Sequence, residues 1–193
     1  MIRLHQVCKQ FDGKTVLDHL ELHLEAGQRY ALMGVSGSGK TTLLNLLMGL
    51  VKPDSGTIEM PEGLRISTVF QENRLIEGMT AVANIRLVCP VSPENARSLL
   101  LEMGIEEDSL PQPVSAYSGG MKRRVAIARA LLAEYDLLLL DEPYKGLDED
   151  TRRQVAAVVQ RLTEGKTLLM VTHEPDDTHG HHLIELNSEQ TNA

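Results

Sequence analysis

The sequence predicts an α/β domain: a mostly parallel sheet covered by helices, with an antiparallel β subdomain at its start and a helical subdomain inserted midway. Three observations carry that expectation. In the last third, apolar runs such as Leu137-Leu138-Leu139-Leu140 alternate with helical periods, the pattern of strands buried on both faces. Near the start, Leu20, Leu22 and Leu24 alternate with Glu21, His23 and Glu25, as in a half-exposed antiparallel strand. Between these parts, residues 72–116 hold two short helical stretches and then the chain breakers Pro111 and Pro113.

Taken in order, Ile2, Leu4 and Val7 suggest a short strand and Asp12-Gly13 a turn into the alternating stretch. Ala26-Gly27 then leads to the apolar strand 29–33. A helix over 40–50 ends before the turn Lys52-Pro53-Asp54-Ser55-Gly56, and strands follow at 57–60 and 65–70. Thr80–Val88 forms a short helix; Ser92-Pro93 is an N-cap and first-turn pair for a helix that Gly104 stops. From Ser118 the chain alternates: helix, buried strand 136–140, helix 148–162, strand 166–171, a short helix and a strand at 183–186. One domain over 1–193 is expected, divided into 1–70, 71–117 and 118–193.

Composition narrows the function. A net charge of −8, six aromatics and no Trp speak against a stacking or basic platform for nucleic acid. Cys8 and Cys89 are isolated in sequence, which suggests neither a disulfide framework nor a zinc site and fits a reducing, cytoplasmic compartment. The N-terminus lacks a signal-peptide core, and no stretch reaches the roughly 20 apolar residues that span a bilayer. Any membrane role then runs through a partner.

The chemistry concentrates in GVSGSGKTT, Gly34 to Thr42, between an apolar strand and a helix. This strand, glycine loop and helix form a nucleoside triphosphate site. Gly34, Ser36, Gly37, Ser38 and Gly39 let the loop curl so that its amides face one anion, and the helix adds its positive end. Lys40 lies against the outer phosphates, the Thr41 hydroxyl closes the motif and takes a Mg2+ position, and Thr42 follows as a further nucleotide-binding residue. The buried strand 137–140 ends in Asp141-Glu142, placing two carboxylates where ligands collect in a parallel sheet. One carboxylate holds Mg2+ through water; the other orients or deprotonates the attacking water. Alone, the pair would equally cap the next helix. Ser118-Gly119-Gly120 opens another helix and offers a second anion-binding end, for which a single chain has no obvious use but a dimer does.

The order GVSGSGKT, VFQENRL, YSGGMKRR, LLLLDEPYKGLD and VTHE resembles the ATP-binding subunit of ABC transporters over nearly the whole chain. The resemblance implies a P-loop NTPase core, binding of ATP with Mg2+, and ATP hydrolysis coupled to transport. It places Mg2+ on Thr41, Gln71 and Asp141, makes Glu142 the general base and His173 the switch residue at the γ-phosphate, and sets Lys40 and Gln71 beside them. Phe11 falls where the family stacks adenine, Val16 touches the same nucleoside, and Asp148 meets the partner's site. The implied assembly is a homodimer on the inner face of the cell membrane, bound to permease subunits and served indirectly by a solute-binding protein. Segment 71–87 resembles importers of the nitrate, sulfonate and taurine type, and residues about 71–90 are the expected permease grip.

Tyr117 and Met121 replace the usual leucine and glutamine of the signature, and Tyr144 occupies a variable place. The chain stops soon after His173, so no carboxy-terminal regulatory domain is expected. Lys122, Arg123, Arg124 and Arg129 read as a solvated helix face, and the crowded Asp176, Asp177, His179, His181 and His182 lack metal-site spacing. A soluble ABC-type ATPase of the DNA-repair class would need a long coiled coil between residues 42 and 117, for which there is neither room nor heptads.

Overall fold

In a computed structural model, residues 1–186 are described. The first layer is a three-stranded antiparallel sheet in the order β2-β1-β4, from β1 (Ile2–Phe11), β2 (Lys14–Leu24) and β4 (Ser55–Glu59). The first two strands are longer than the sequence suggests. Left-handed residues Gln6 and His19 interrupt the β1–β2 pairing as bulges that the alternation alone does not reveal. Where β4 crosses the bulge, Gly56 is obligatory, because a Cβ there would lie 2.2 Å from the Gln6 carbonyl oxygen.

The second layer is an all-parallel sheet in the order β5-β6-β7-β3-β8. Its strands are β3 (Arg29–Gly34), β5 (Ile66–Val69), β6 (Leu137–Asp141), β7 (Thr167–Val171) and β8 (His182–Leu186). Strand alternation divides the interior into two cores. Leu137, Leu139, Leu169 and Val171 join the antiparallel layer and α1 (Lys40–Leu47). Leu138, Leu140, Leu168 and Met170 face the opposite core with α4 (Gly119–Leu132) and α5 (Glu149–Leu162). Burying a leucine on either side stabilises by about 1.5–3 kcal/mol, so neither face tolerates charge.

The helical insert packs on the second core through α2 (Ala81–Arg86) and α3 (Pro93–Glu102). Thr80 and Ser92 cap them by accepting from the amides of Ala83 and Asn95. Helix α1 ends at Leu47 rather than at 50, and the short helix expected after residue 172 is a single 3-10 turn at Pro175–Thr178. Among the described residues no helix is long and apolar enough to cross a membrane.

Candidate functional site

Strand β3 delivers the chain into the glycine loop, and the loop ends in α1 with Gly39 left-handed at φ +89°. A Cβ on Gly39 would meet the Val16 carbonyl oxygen at 2.9 Å and Leu17 Cδ2 at 2.7 Å, so β2 sits directly against the loop. No side chain caps α1, and no acid lies in its first turn. Its leading amides therefore remain open to an anion. The Ser38 hydroxyl is buried without a hydrogen-bond partner, and a Cβ on Gly34 would lie 2.6 Å from it. Such an orphaned donor beside an uncapped helix end fits a phosphate oxygen. Lys40, 7% exposed, donates to the Gly34 and Val35 carbonyl oxygens at 2.7 and 2.8 Å. Burial pushes its ammonium below the usual lysine range, while Glu142 and Asp141 pull it back up.

Asp141 is the last residue of β6 and is buried. Its carboxyl is raised above the usual range by burial first and then by Glu142, against the pull of Arg123, Lys40 and Lys145. Glu142 follows in the left-handed region, φ +47°, a costly conformation for a residue with a Cβ. Its amide donates to the Val171 carbonyl at 2.9 Å. One carboxylate oxygen lies 2.5 Å from Lys145 Nζ and the other 3.2 Å from His173 Nε2. A cavity of about 280 Å³ opens beside Glu142 and His173 and continues past Thr172 to Asp177.

Other expected residues fall in four places. Phe11, 44% exposed at the end of β1, lies under Lys9 Nζ at 5.2 Å from its ring centre. Val16 borders the loop through Gly39. Gln71 is exposed after β5. Ser118 caps α4 by accepting from the Met121 amide at 3.2 Å, and Gly120 abuts Leu147 and Gly146. Asp148 caps α5 through Thr151 at 3.0 Å. Ser118, Gly119, Gly120 and Asp148 thus gather at a second pole. Among the described residues, no hydrogen bond joins that pole to the loop at Lys40.

One sequence expectation fails. Arg123 is not on a solvated face: it is 5% exposed and hydrogen-bonds the carbonyls of Pro143, Glu142, Asp141, Phe70 and Gln71. Arg124 reaches the Met103 and Gly104 carbonyls, and Arg129 those of Asn73 and Arg74. The signal was available, since Arg123 shares the α4 stripe with Ile127 and Ala130, three and four positions apart. Cys8, isolated in sequence, has neighbours in space: its sulfur, Asp18 and His19 offer ligand atoms within 4.8 Å of one another. The late cluster is dispersed instead. Asp177 binds Arg152 and Thr172, His179 and His181 face main-chain carbonyls, and His182 faces Gln28.

Tyr117, in the signature's leucine place, is buried and donates to the Ser109 carbonyl at 2.9 Å, so the phenol serves the insert rather than the anion site. Tyr144 is likewise buried.

A family profile described as "ABC transporter" matches residues 17–145. The sequence is 40% identical over 183 residues to the aliphatic sulfonates import ATP-binding protein SsuB of Delftia acidovorans, covering 92% of this chain and 75% of that one. It is 38% identical over 178 residues to the zinc import ATP-binding protein ZnuC of Pseudomonas fluorescens strain Pf0-1, covering 90% and 68%. The dimeric structure of MJ0796, a bacterial ABC transporter cassette, matches with TM-score 0.85 at 29% identity over 97% of this chain and 94% of that one. A dimeric post-hydrolysis state of the same cassette, bound to ADP and Pi, matches with TM-score 0.82 at 28% identity over 96% and 94%.

Proposed function

This chain belongs to the ABC transporter family as an ATP-binding subunit that hydrolyses ATP, and from that premise we propose that two copies close head to tail around two ATP molecules and drive a membrane permease. The supporting observation is the pair of separate anion-seeking helix ends: the open α1 with its orphaned Ser38 hydroxyl, and the Ser118 end of α4 at a different pole. Head-to-tail pairing brings one chain's α4 end onto the other chain's loop and gives both ends one triphosphate. Cassette MJ0796, which shares this fold, is a dimer.

Phosphate binding begins with exchange. Lys40 leaves the Gly34 and Val35 carbonyls for the outer phosphates, Ser38 gains its missing partner, and Phe11 stacks on adenine with Val16 beside it. Gly34, Ser36, Gly37, Gly39, Thr41 and Thr42 line the rest of the cradle. Thr41, Gln71 and Asp141 form an all-oxygen donor set suited to Mg2+, which when bound neutralises phosphate charge. Glu142 takes the proton of the attacking water as the water oxygen bonds the γ-phosphorus and the β–γ bridge breaks. His173 orients Glu142 and meets the γ-phosphate, while the partner's Ser118, Gly119 and Gly120 close the other side. Asp148, beside that pole, meets the facing subunit.

Product charge then reopens the pair. Residues 71–117 act as the helical unit, with about 71–90 gripping the permease on the inner face of the membrane; Gln71 sits where core and insert join. The cargo is a small solute of the nitrate, sulfonate or taurine kind, presented by a solute-binding protein; the SsuB relative is named for sulfonate import. Gel filtration tests the reading: Glu142→Gln with ATP elutes as a dimer, and a monomer unaffected by ATP contradicts it.

A further inference from the structure

We propose that Arg123 is a positioning residue that sets the mutual geometry of Gln71, Asp141 and Glu142 and fixes that arrangement to the helix bearing Ser118. This inference rests on the function proposed above and names the group that holds its reacting residues in place.

Strands β5 and β6 are neighbours, with Val69 opposite Leu140, and the chain leaves both at the same end of the sheet. Among the described residues the ladder between them ends at that pair. Arg123 fills the gap from the second turn of α4. Its Nε donates to the Pro143 carbonyl at 2.9 Å. One terminal nitrogen donates to the carbonyls of Glu142, at 2.8 Å, and Asp141. The other donates to the Phe70 carbonyl, and at 3.4 Å to the Gln71 carbonyl and Asn73 Oδ1. One planar group therefore ties the segment carrying Gln71 to the segment carrying both carboxylates.

Only a guanidinium can do this. Its five donors diverge in a rigid fork, whereas a lysine ammonium is a single point charge and a glutamine amide has two donors. Burying the cation is costly, and the cost is offset because its donors meet carbonyl oxygens with Asp141 and Glu142 nearby. The strained backbone of Glu142 supplies the second argument. A residue at φ +47° persists only where its surroundings over-determine it. Val171 holds its amide, while Arg123 holds its carbonyl and the next one. Without Arg123 that strain relaxes and the base moves off its line of attack. Among the described residues the phosphate loop and Phe11 make no bond to Arg123, so the phosphate and adenine contacts that carry most of the ATP affinity are spared.

The test is steady-state ATP hydrolysis by Arg123→Ala and Arg123→Lys against wild type, with and without millimolar guanidinium, alongside ATP-driven dimerisation in an added Glu142→Gln background. We expect kcat to fall by about 10- to 100-fold in both variants while KM for ATP stays within roughly threefold. Guanidinium restores part of the Arg123→Ala rate, the lysine variant remains slow, and the double variants still dimerise with ATP. An unchanged kcat in either folded variant overturns the inference. So does a joint loss of kcat and ATP affinity that guanidinium does not reverse, since that is a general packing defect. A Glu142→Gln single variant that does not dimerise with ATP sinks the function reading first, and with it the inference that rests on it.

Discussion

Lys145 Nζ lies 2.5 Å from Glu142 Oε2, so the carboxylate proposed as general base carries its own counter-ion from three residues along the chain. Burial presses the Glu142 carboxyl upward, but the hydrogen bond and charge of Lys145, then His173 and Lys40, outweigh it and hold the group below its ordinary 4.5. A base that stays ionised below neutrality is ready whenever the site closes.

Removing that counter-ion moves the acid limb of activity upward. In Lys145→Met, Glu142 becomes protonated at higher pH than in wild type, so the rate is lost earlier on acidification and is unchanged on the alkaline side. Lys145 is largely exposed, and an exposed pair is worth at most about 1 kcal/mol, so the loss stays under roughly tenfold near the acid limb. A pH–kcat profile carried from neutrality down to about pH 4 reads this directly.

Asp141 behaves in the opposite sense. Its folded pKa is raised, mainly by burial, so the protonated form favours folding and the benefit is lost as pH climbs through the folded value. Asp141→Asn should therefore melt at higher temperature than wild type near neutrality without nucleotide, and the gain should shrink on acidification. The same variant should hydrolyse ATP poorly. Thermal melts at two pH values, paired with an ATPase assay, check both halves.

Gly39 is held left-handed between the loop and β2, where a Cβ would strike the Val16 carbonyl and Leu17. Gly39→Ala should lose about 1–3 kcal/mol of stability and weaken ATP binding, because β2 or the loop must shift. Denaturant melts and nucleotide titration measure the two effects separately.

Much of this was legible in the sequence, for reasons that also mark its limit. The loop at Lys40 and the pair Asp141-Glu142 are contiguous, and their neighbours in sequence set their conformation. The parallel sheet was legible because Leu137 to Leu140 face two cores at once. Bulges at Gln6 and His19 were not, since no residue type there demands a left-handed backbone. Arg123 was misread because Lys122, Arg123 and Arg124 look alike as a basic run, and only the helical phase separates the buried one. Lys145 was missed because a charged residue in a variable turn gives no sign of which carboxylate it meets.

The capping task of Ser118 can be separated from the one proposed for it at the partner's nucleotide. As the α4 cap it accepts from the Met121 amide, so Ser118→Ala should cost about 1 kcal/mol of stability. If its hydroxyl also meets the partner's nucleotide, the Ser118→Ala, Glu142→Gln double variant should need more ATP to dimerise than Glu142→Gln alone, as light scattering against ATP concentration would show.

The most direct measurement is a crystal structure of Glu142→Gln grown with ATP and Mg2+. The account predicts two chains related by a twofold axis, with each triphosphate in one chain's loop at Lys40 and the other chain's Ser118 hydroxyl within hydrogen-bond reach of its terminal phosphate. Paired chains that hold nucleotide while Ser118 lies away from it, or ATP bound by a lone chain, would contradict the account.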